Sequence, residues 1–221
     1  MAYNIQAELQ KIPLFSSLES KDLEKLSTIT KIVHYAKNSI LLYENDFLNT
    51  IYYIIKGSVK LYKIDKYSNE IFLNQLYGGS FVALVESTDM KNKNKQIFYS
   101  VETVEESHVL LIDSQSFIQK YFNRGDVAKK LFEEVHKALL NYENIISRDL
   151  IYDSRAKVVE MICTELDEFN RLKKNEIAYH LHIQPETLSR IVKKLQSAQL
   201  IAIENRSVTI LNKTALENLY K

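Results

Sequence analysis

The sequence predicts an α+β fold: an N-terminal antiparallel β-roll of the jelly-roll kind, a long helix, and a C-terminal winged helix-turn-helix. Three observations predict it. Short runs rich in Ile, Val, Tyr and Leu recur at near-regular spacing between Lys31 and Asp113, the period becomes helical after Gly125, and residues 174–195 carry the burial pattern of two short helices crossing at a tight turn. A length of 221 residues suits two modest domains. The boundaries fall at 1–125 for the roll with its N-terminal helices, 126–152 for the long helix and hinge, and 153–221 for the helix-turn-helix.

The elements follow in order. After Pro13, the residues Leu14, Phe15, Leu18, Leu23 and Leu26 recur at helical spacing, with Ser20 as the expected N-cap of one short helix. Strands are expected at Ile32–Tyr35, Ser39–Tyr43, Thr50–Ile55, Ser58–Ile64, Glu70–Leu76, Ile97–Val104 and His108–Ile112. Turn residues break them at Lys37-Asn38, Lys56-Gly57, Tyr67-Ser68-Asn69 and Gly78-Gly79. With only four glycines and two prolines in the chain, each of these acts as punctuation. The polar run Asp89 to Gln96 reads as an exposed loop.

Composition excludes several classes of function. Net charge is +1, so a nucleic-acid partner must be met by a local basic patch. The single cysteine, Cys163, leaves no disulfide framework, no Cys-rich zinc site and no iron–sulfur cluster held by several cysteines of one chain. It reads as a small core residue and points to a reducing, cytoplasmic setting. No run approaches the roughly 18 apolar residues of a membrane span, and the first residues lack the basic head and apolar stretch of a signal peptide, so no membrane partner is expected.

The long helix carries more apolar surface than one core needs. Ala128, Phe132, Val135, Leu139, Tyr142 and Ile146 repeat in steps of three and four, with Leu131 beside them. The spare stripe predicts a coiled-coil-like seam between two copies of the chain, formed by Leu131, Phe132, Val135, Leu139, Tyr142 and Ile146; burial within one chain is the competing reading.

After Asp153-Ser154, where Ser154 is the expected cap, Val158, Val159, Ile162 and Leu166 mark a further helix. Ile177 and Leu181 then share a helix face, Ala178 is small where a second helix must approach, Ile183 plugs the turn, and Leu188, Ile191 and Leu195 line the second helix. Pro185 suits the first turn of that helix. If Leu188, Ile191 and Leu195 face inward, Glu186, Ser189 and Arg190 share one outward strip. Arginine offers two parallel donors to guanine O6 and N7, and glutamate accepts from the cytosine amino group. Lys174, Thr187, Lys193, Lys194 and Arg206 suit phosphates. Between Arg171 and Lys213, eight cations face three acids, a net +5 that supplies the patch missing from the chain as a whole. The stretches Leu200–Glu204 and Arg206–Leu211 alternate like a hairpin and would form a wing.

These residues resemble the CRP/FNR family of bacterial transcription regulators. The likeness covers nearly the whole chain: Pro13-Leu14-Phe15, the roll with Tyr52-Tyr53-Ile54-Ile55-Lys56-Gly57-Ser58-Val59, the long helix and the winged helix-turn-helix. Its most specific part is Glu186-Thr187-Leu188-Ser189-Arg190, which matches the FNR-type recognition helix. The resemblance implies a cyclic-nucleotide-binding-like roll and a homodimer reading double-stranded DNA at a palindrome with TTGAT-type half-sites. RNA polymerase is a further implied partner. His182 stands where a glycine is usual in the turn, and Pro185 where the cyclic-AMP branch has a basic residue.

The cofactor and effector are not identified by the sequence. In the cyclic-nucleotide branch a Gly-Glu pair and a later Arg-Ser or Arg-Thr pair hold the phosphate; here Ala83-Leu84 and Ile97-Phe98 fall at those places, which argues against cyclic AMP or GMP. An oxygen-sensing iron–sulfur cluster is excluded by the missing cysteines. Resemblance to the haem-dependent, nitric-oxide-sensing branch leaves haem open, with His34 or His108 as axial ligand. Tyr35, Tyr43, Tyr52, Tyr53 and Tyr62 read as core or sheet surface in preference to a ligand cavity. His180 and His182 lack metal-ligand spacing, and no metal site is expected. Two other functions compete with this reading. One is a small-molecule or haem and nitric-oxide sensing module whose helical tail is a protein-interaction domain; the other is a metal-dependent enzyme built on the roll, against which the strands offer no His-x-His or His-x-x-x-His with a partner carboxylate.

Overall fold

The computed structural model describes residues 4–83, 96–205 and 207–220. The alternating stretches form strands β1 (Thr30–Tyr35), β2 (Ile40–Leu42), β3 (Thr50–Lys56), β4 (Ser58–Ile64), β5 (Glu70–Tyr77), β6 (Phe81–Ala83), β7 (Ser100–Thr103) and β8 (Ser107–Asp113). They build two four-stranded antiparallel sheets, in the orders β1-β8-β3-β6 and β2-β7-β4-β5. Turns use left-handed backbone at the expected places: Asn38, Ser68, Gly57 and Gly79 all have positive φ. Gly57 is sterically required, since a Cβ there would lie 2.2 Å from Ser107 Oγ and 2.8 Å from the Glu106 carbonyl oxygen.

Strand β3 explains why the sequence reads as a continuous apolar run there. Ile51 and Tyr53 face a core shared with the N-terminal helices, whereas Ile54 and the half-buried Tyr52 face a second core between the sheets. Period two on a strand covered on both sides puts an apolar residue at every position. The first core joins helices α1 (Ile5–Lys11) and α2 (Ser20–Ser27), the 3-10 turn Pro13–Phe15 and helix α3 (Ser114–Tyr121) to one face of the first sheet, with Leu14, Phe15, Leu26 and Phe117 fully buried.

Several expectations change in detail. Strand β6 was not predicted, because three residues after Gly78-Gly79 give no period. The expected strand Ile97–Val104 shortens to β7; Ile97 instead donates its N–H to the Asp46 carbonyl at 3.0 Å. Ser20 is not the cap of α2: Glu19 holds that position, without a side-chain bond. Ser154 is not a cap either; Asp153 is, accepting from the Ala156 N–H at 2.8 Å, and Leu166 opens a separate helix. Of the loop expected at Asp89 to Gln96, residues 89–95 lie outside the described residues, and Gln96 forms an antiparallel bridge with Phe47.

Helix α4 (Gly125–Ile151) runs 27 residues. Arg124 and Asp126 are joined at its start by an ion pair of 3.1 Å, and Arg124 also pairs with Asp22. By internal contacts the chain forms two compact units, Met1–Ala138 and Leu139–Lys221, the division falling inside α4. The second unit contains α5 (Ser154–Thr164), α6 (Leu166–Arg171), α7 (Lys174–His180), α8 (Pro185–Ser197), the hairpin β9 (Ile201–Glu204) and β10 (Ser207–Ile210), and α9 (Lys213–Glu217). Among the described residues no helix is long and apolar enough to cross a membrane.

Candidate nucleic-acid interface

The helix-turn-helix forms because its apolar residues fall on the facing sides of α7 and α8. Ile177, Ala178 and Leu181 are buried against Leu188, Ile191 and Leu195, none more than 8% exposed, and Ile183 packs beside them in the turn. Burying a leucine or isoleucine contributes about 1.5–3 kcal/mol, so these six residues fix the relation of the two helices. Between them, His182 takes φ 53°, the left-handed conformation that favours glycine. Pro185 occupies the first turn of α8, where its missing N–H costs nothing.

With that face buried, the other is set. Glu186 and Arg190 are exposed, Ser189 and Thr187 are half-buried, and Lys193 and Lys194 are exposed one turn further on. The Ser189 hydroxyl donates to the Pro185 carbonyl at 3.1 Å, so toward solvent it offers lone pairs and can accept from a base amino group. Lys174 is exposed in the first turn of α7. Arg206, expected on a phosphate, lies outside the described residues.

The wing is the hairpin β9–β10, in register from Ile201↔Ile210 to Glu204↔Ser207, with Asn205 at φ 50° directly after β9. What pins it is a residue that the sequence did not single out. The Asn170 side chain donates to the Val208 carbonyl at 3.0 Å and accepts from the Val208 N–H at 2.7 Å, joining α6 to the wing as an extra strand residue would. An asparagine 38 residues away in sequence gives no periodic signal of that contact. Helix α9 was likewise not anticipated; its Leu216 is fully buried in the same core, where Cys163 is half-buried.

The stripe expected on α4 stands out of the chain's own cores. Phe132 is 72% exposed, Leu139 53% and Ile146 56%, with Val135 and Tyr142 also exposed. Leu131 differs: it is half-buried and packs on the first core, as its neighbour Val127 does fully.

Residues 32–124 match the family model described as a cyclic nucleotide-binding domain, and residues 156–219 match the Crp-like helix-turn-helix domain. The chain belongs to the CRP/FNR family of transcription regulators. The cAMP-activated global transcriptional regulator CRP of Salmonella typhimurium is 21% identical over 186 residues, covering 80% of this chain and 87% of that protein. In fold, this CRP/FNR chain is similar to a CooA mutant from Carboxydothermus hydrogenoformans (TM-score 0.73, 16% identity, 100% of this chain and 97% of that one). A putative regulator of the crp/fnr family from Eubacterium rectale gives a TM-score of 0.69 at 19% identity, covering 94% and 97% of the two chains. Members of the family are transcription regulators and not enzymes.

Ile97 is fully buried in the core between the sheets, and Phe98 is 69% exposed. Lys60 on β4 is paired with Glu70 at 2.7 Å and Glu102 at 3.5 Å. Burial pulls its pKa down, but the two carboxylates outweigh this and hold it above the ordinary lysine value. Of the matching stretch, Leu84 lies outside the described residues.

The two strand histidines are cross-strand neighbours, His34 opposite His108, with ring centroids 4.9 Å apart. His34 Nε2 lies 2.9 Å from the Glu106 carboxylate. An axial ligand needs a ring nitrogen free to bind iron over a cavity, and the nitrogen at the tip of His34 is engaged on an exposed edge. The tyrosines divide as sheet residues do: Tyr53 and Tyr62 are buried, Tyr35 and Tyr52 half-buried, and Tyr43 is exposed. Burial raises the pKa of Tyr35, Tyr52, Tyr53 and Tyr62, keeping these phenols neutral. Among the described residues no group of three potential ligands could hold a metal ion.

Proposed function

We propose that two copies of this chain, joined along α4, bind a DNA palindrome with TTGAT-type half-sites. Glu186, Ser189 and Arg190 read base edges, while Lys174, Thr187, Lys193, Lys194 and Arg206 hold the backbone. The observation that carries the reading is the strip Glu186–Ser189–Arg190 on the solvent side of α8, opposite the buried Leu188, Ile191 and Leu195. A recognition helix enters the major groove with its N-terminal residues leading, and these three lie in the first two turns. The exposed Phe132, Leu139 and Ile146 support the homodimer, because a palindrome requires two reading heads related by a two-fold axis.

The signal acting on the roll is, on this reading, something other than a cyclic nucleotide. Supporting it are the fully buried Ile97, the exposed Phe98 and the prior engagement of Lys60. The long helix passes from one compact unit into the other, so a signal that alters its pose alters the spacing of the recognition helices.

The test is fluorescence-anisotropy binding of the purified protein to a TTGAT-type palindrome and to a scrambled duplex at one stated salt near physiological. Nanomolar binding with at least a hundredfold preference for the palindrome is expected of a DNA-competent form. Equal affinity for the two duplexes, both without and with candidate effectors, would sink the reading.

A further inference from the structure

Between the recognition helix and the wing lies a groove of about 770 Å³, contained within the C-terminal unit. Its floor is core side chain: Phe169, Leu188 and Val208, with Val192 of α8 and Ile203 of β9 as walls. Its rim is cationic. Lys173 and Lys174 stand at the start of α7 and Lys193 on α8, and among the described residues no carboxylate lines the groove. The nearby Glu176 carboxylate turns to the Lys173 backbone N–H at 2.7 Å. Among the described residues, none of the three lysines is in an ion pair.

Bound DNA accounts for the rim and not for the floor. Phosphates and sugars present polar edges, and they would leave a mainly apolar hollow filled with water or empty. A concave, mostly apolar site of this size with a few polar groups at its mouth is the usual form of a small-molecule site. We infer that this groove binds a small amphipathic anion, an acyl or aromatic body ending in a carboxylate, with its tail over Leu188 and Val192 and its head among Lys173, Lys174 and Lys193.

Binding itself does not depend on the DNA reading, but its consequence does. A carboxylate on Lys174 and Lys193 takes the cations that the proposed interface needs for phosphates, and a tail against Ser189 and Val192 occupies the approach to the reading strip. The anion and DNA are then mutually exclusive. This places a second input in the DNA-binding unit itself, separate from any signal at the roll.

The probe is decanoate below its micellar range, titrated calorimetrically into the full-length protein, with decanol as its neutral counterpart. Saturable binding at one site per chain is expected, at least tenfold tighter for decanoate than for decanol. Gln196→Glu sets a carboxylate at the rim from an exposed position; it should weaken decanoate at least threefold and leave decanol unchanged. Val192→Phe fills the groove and should abolish both. No saturable binding, equal affinity for the two probes, or decanoate binding indifferent to Gln196→Glu would overturn the inference. In the anisotropy assay, decanoate should raise the apparent Kd for the palindrome, and this dependence should vanish in Val192→Phe. Decanoate binding by a protein that binds no duplex would leave the groove standing and remove the DNA reading; palindrome binding without decanoate binding would do the reverse.

Discussion

Leu139→Ala is the most informative change to the α4 seam. The side chain is 53% exposed in a single chain, so a two-fold seam would bury about half of it anew in each protomer. Full burial of a leucine is worth about 1.5–3 kcal/mol, and half of that, taken twice by symmetry, is about 1.5–3 kcal/mol per dimer. At about 1.4 kcal/mol per tenfold, the dimer dissociation constant should rise roughly 10- to 150-fold. Leu139→Glu should do more, since it sets two carboxylates against one another at the seam. Sedimentation equilibrium over a wide concentration range reads the constant directly. Leu131→Ala is the control: Leu131 packs on its own chain's core, so its loss should lower thermal stability with a smaller effect on association. A dimer constant unchanged within twofold in Leu139→Ala, or an intact dimer in Leu139→Glu, would refute the seam.

Three further outcomes are expected. Arg190→Ala should cost about 1–3 kcal/mol on the cognate palindrome and relax preference at one base pair, whereas Lys193→Ala should weaken all duplexes alike and flatten the salt dependence by about one ion; anisotropy on single-base variants at several salt concentrations separates the two. Gly57→Ala should destabilise the roll by about 2 kcal/mol or more, because φ +97° and a Cβ 2.2 Å from Ser107 Oγ leave no relaxed alternative; a melting temperature equal to the parent's would contradict this. The hydrogen bond from Arg124 holds the Asp126 carboxyl below the ordinary aspartate range. Its stabilising effect is therefore complete above the unfolded pKa, about 4, and is lost as pH falls through the lower folded value. Asp126→Asn should melt below the parent at pH 7, with the gap closing under acid; a gap that does not shrink as the pH falls would count against the pairing as its cause.

How far the site was legible follows from what each signal encodes. The strip Glu186, Ser189, Arg190 could be read because its partners, Leu188, Ile191 and Leu195, are in the same helix and obey its period. The same holds for β4, whose ends Ser58 and Ile64 agree with the expected bounds, and for the paired turns at Gly57 and Gly79. The caps fall one residue before Ser20 and Ser154, because an acidic residue adjoins each serine and only backbone geometry selects between them.

The sequence by itself determined the order of the main elements, from the roll through the long helix to the helix-turn-helix, the faces they bury and the local excess of positive charge at the C-terminus. These are properties of neighbours in the chain, and a period of 2 or 3.6 states them. Only the tertiary structure decided what depends on residues far apart: that Asn170 clasps Val208, that Ile97 is fully buried between the sheets, that His34 is held by Glu106, and that a groove with an apolar floor opens between α8 and the wing. Each of those is a pairing or a void set by the closure of separate segments on one another, and no spacing along the chain encodes it.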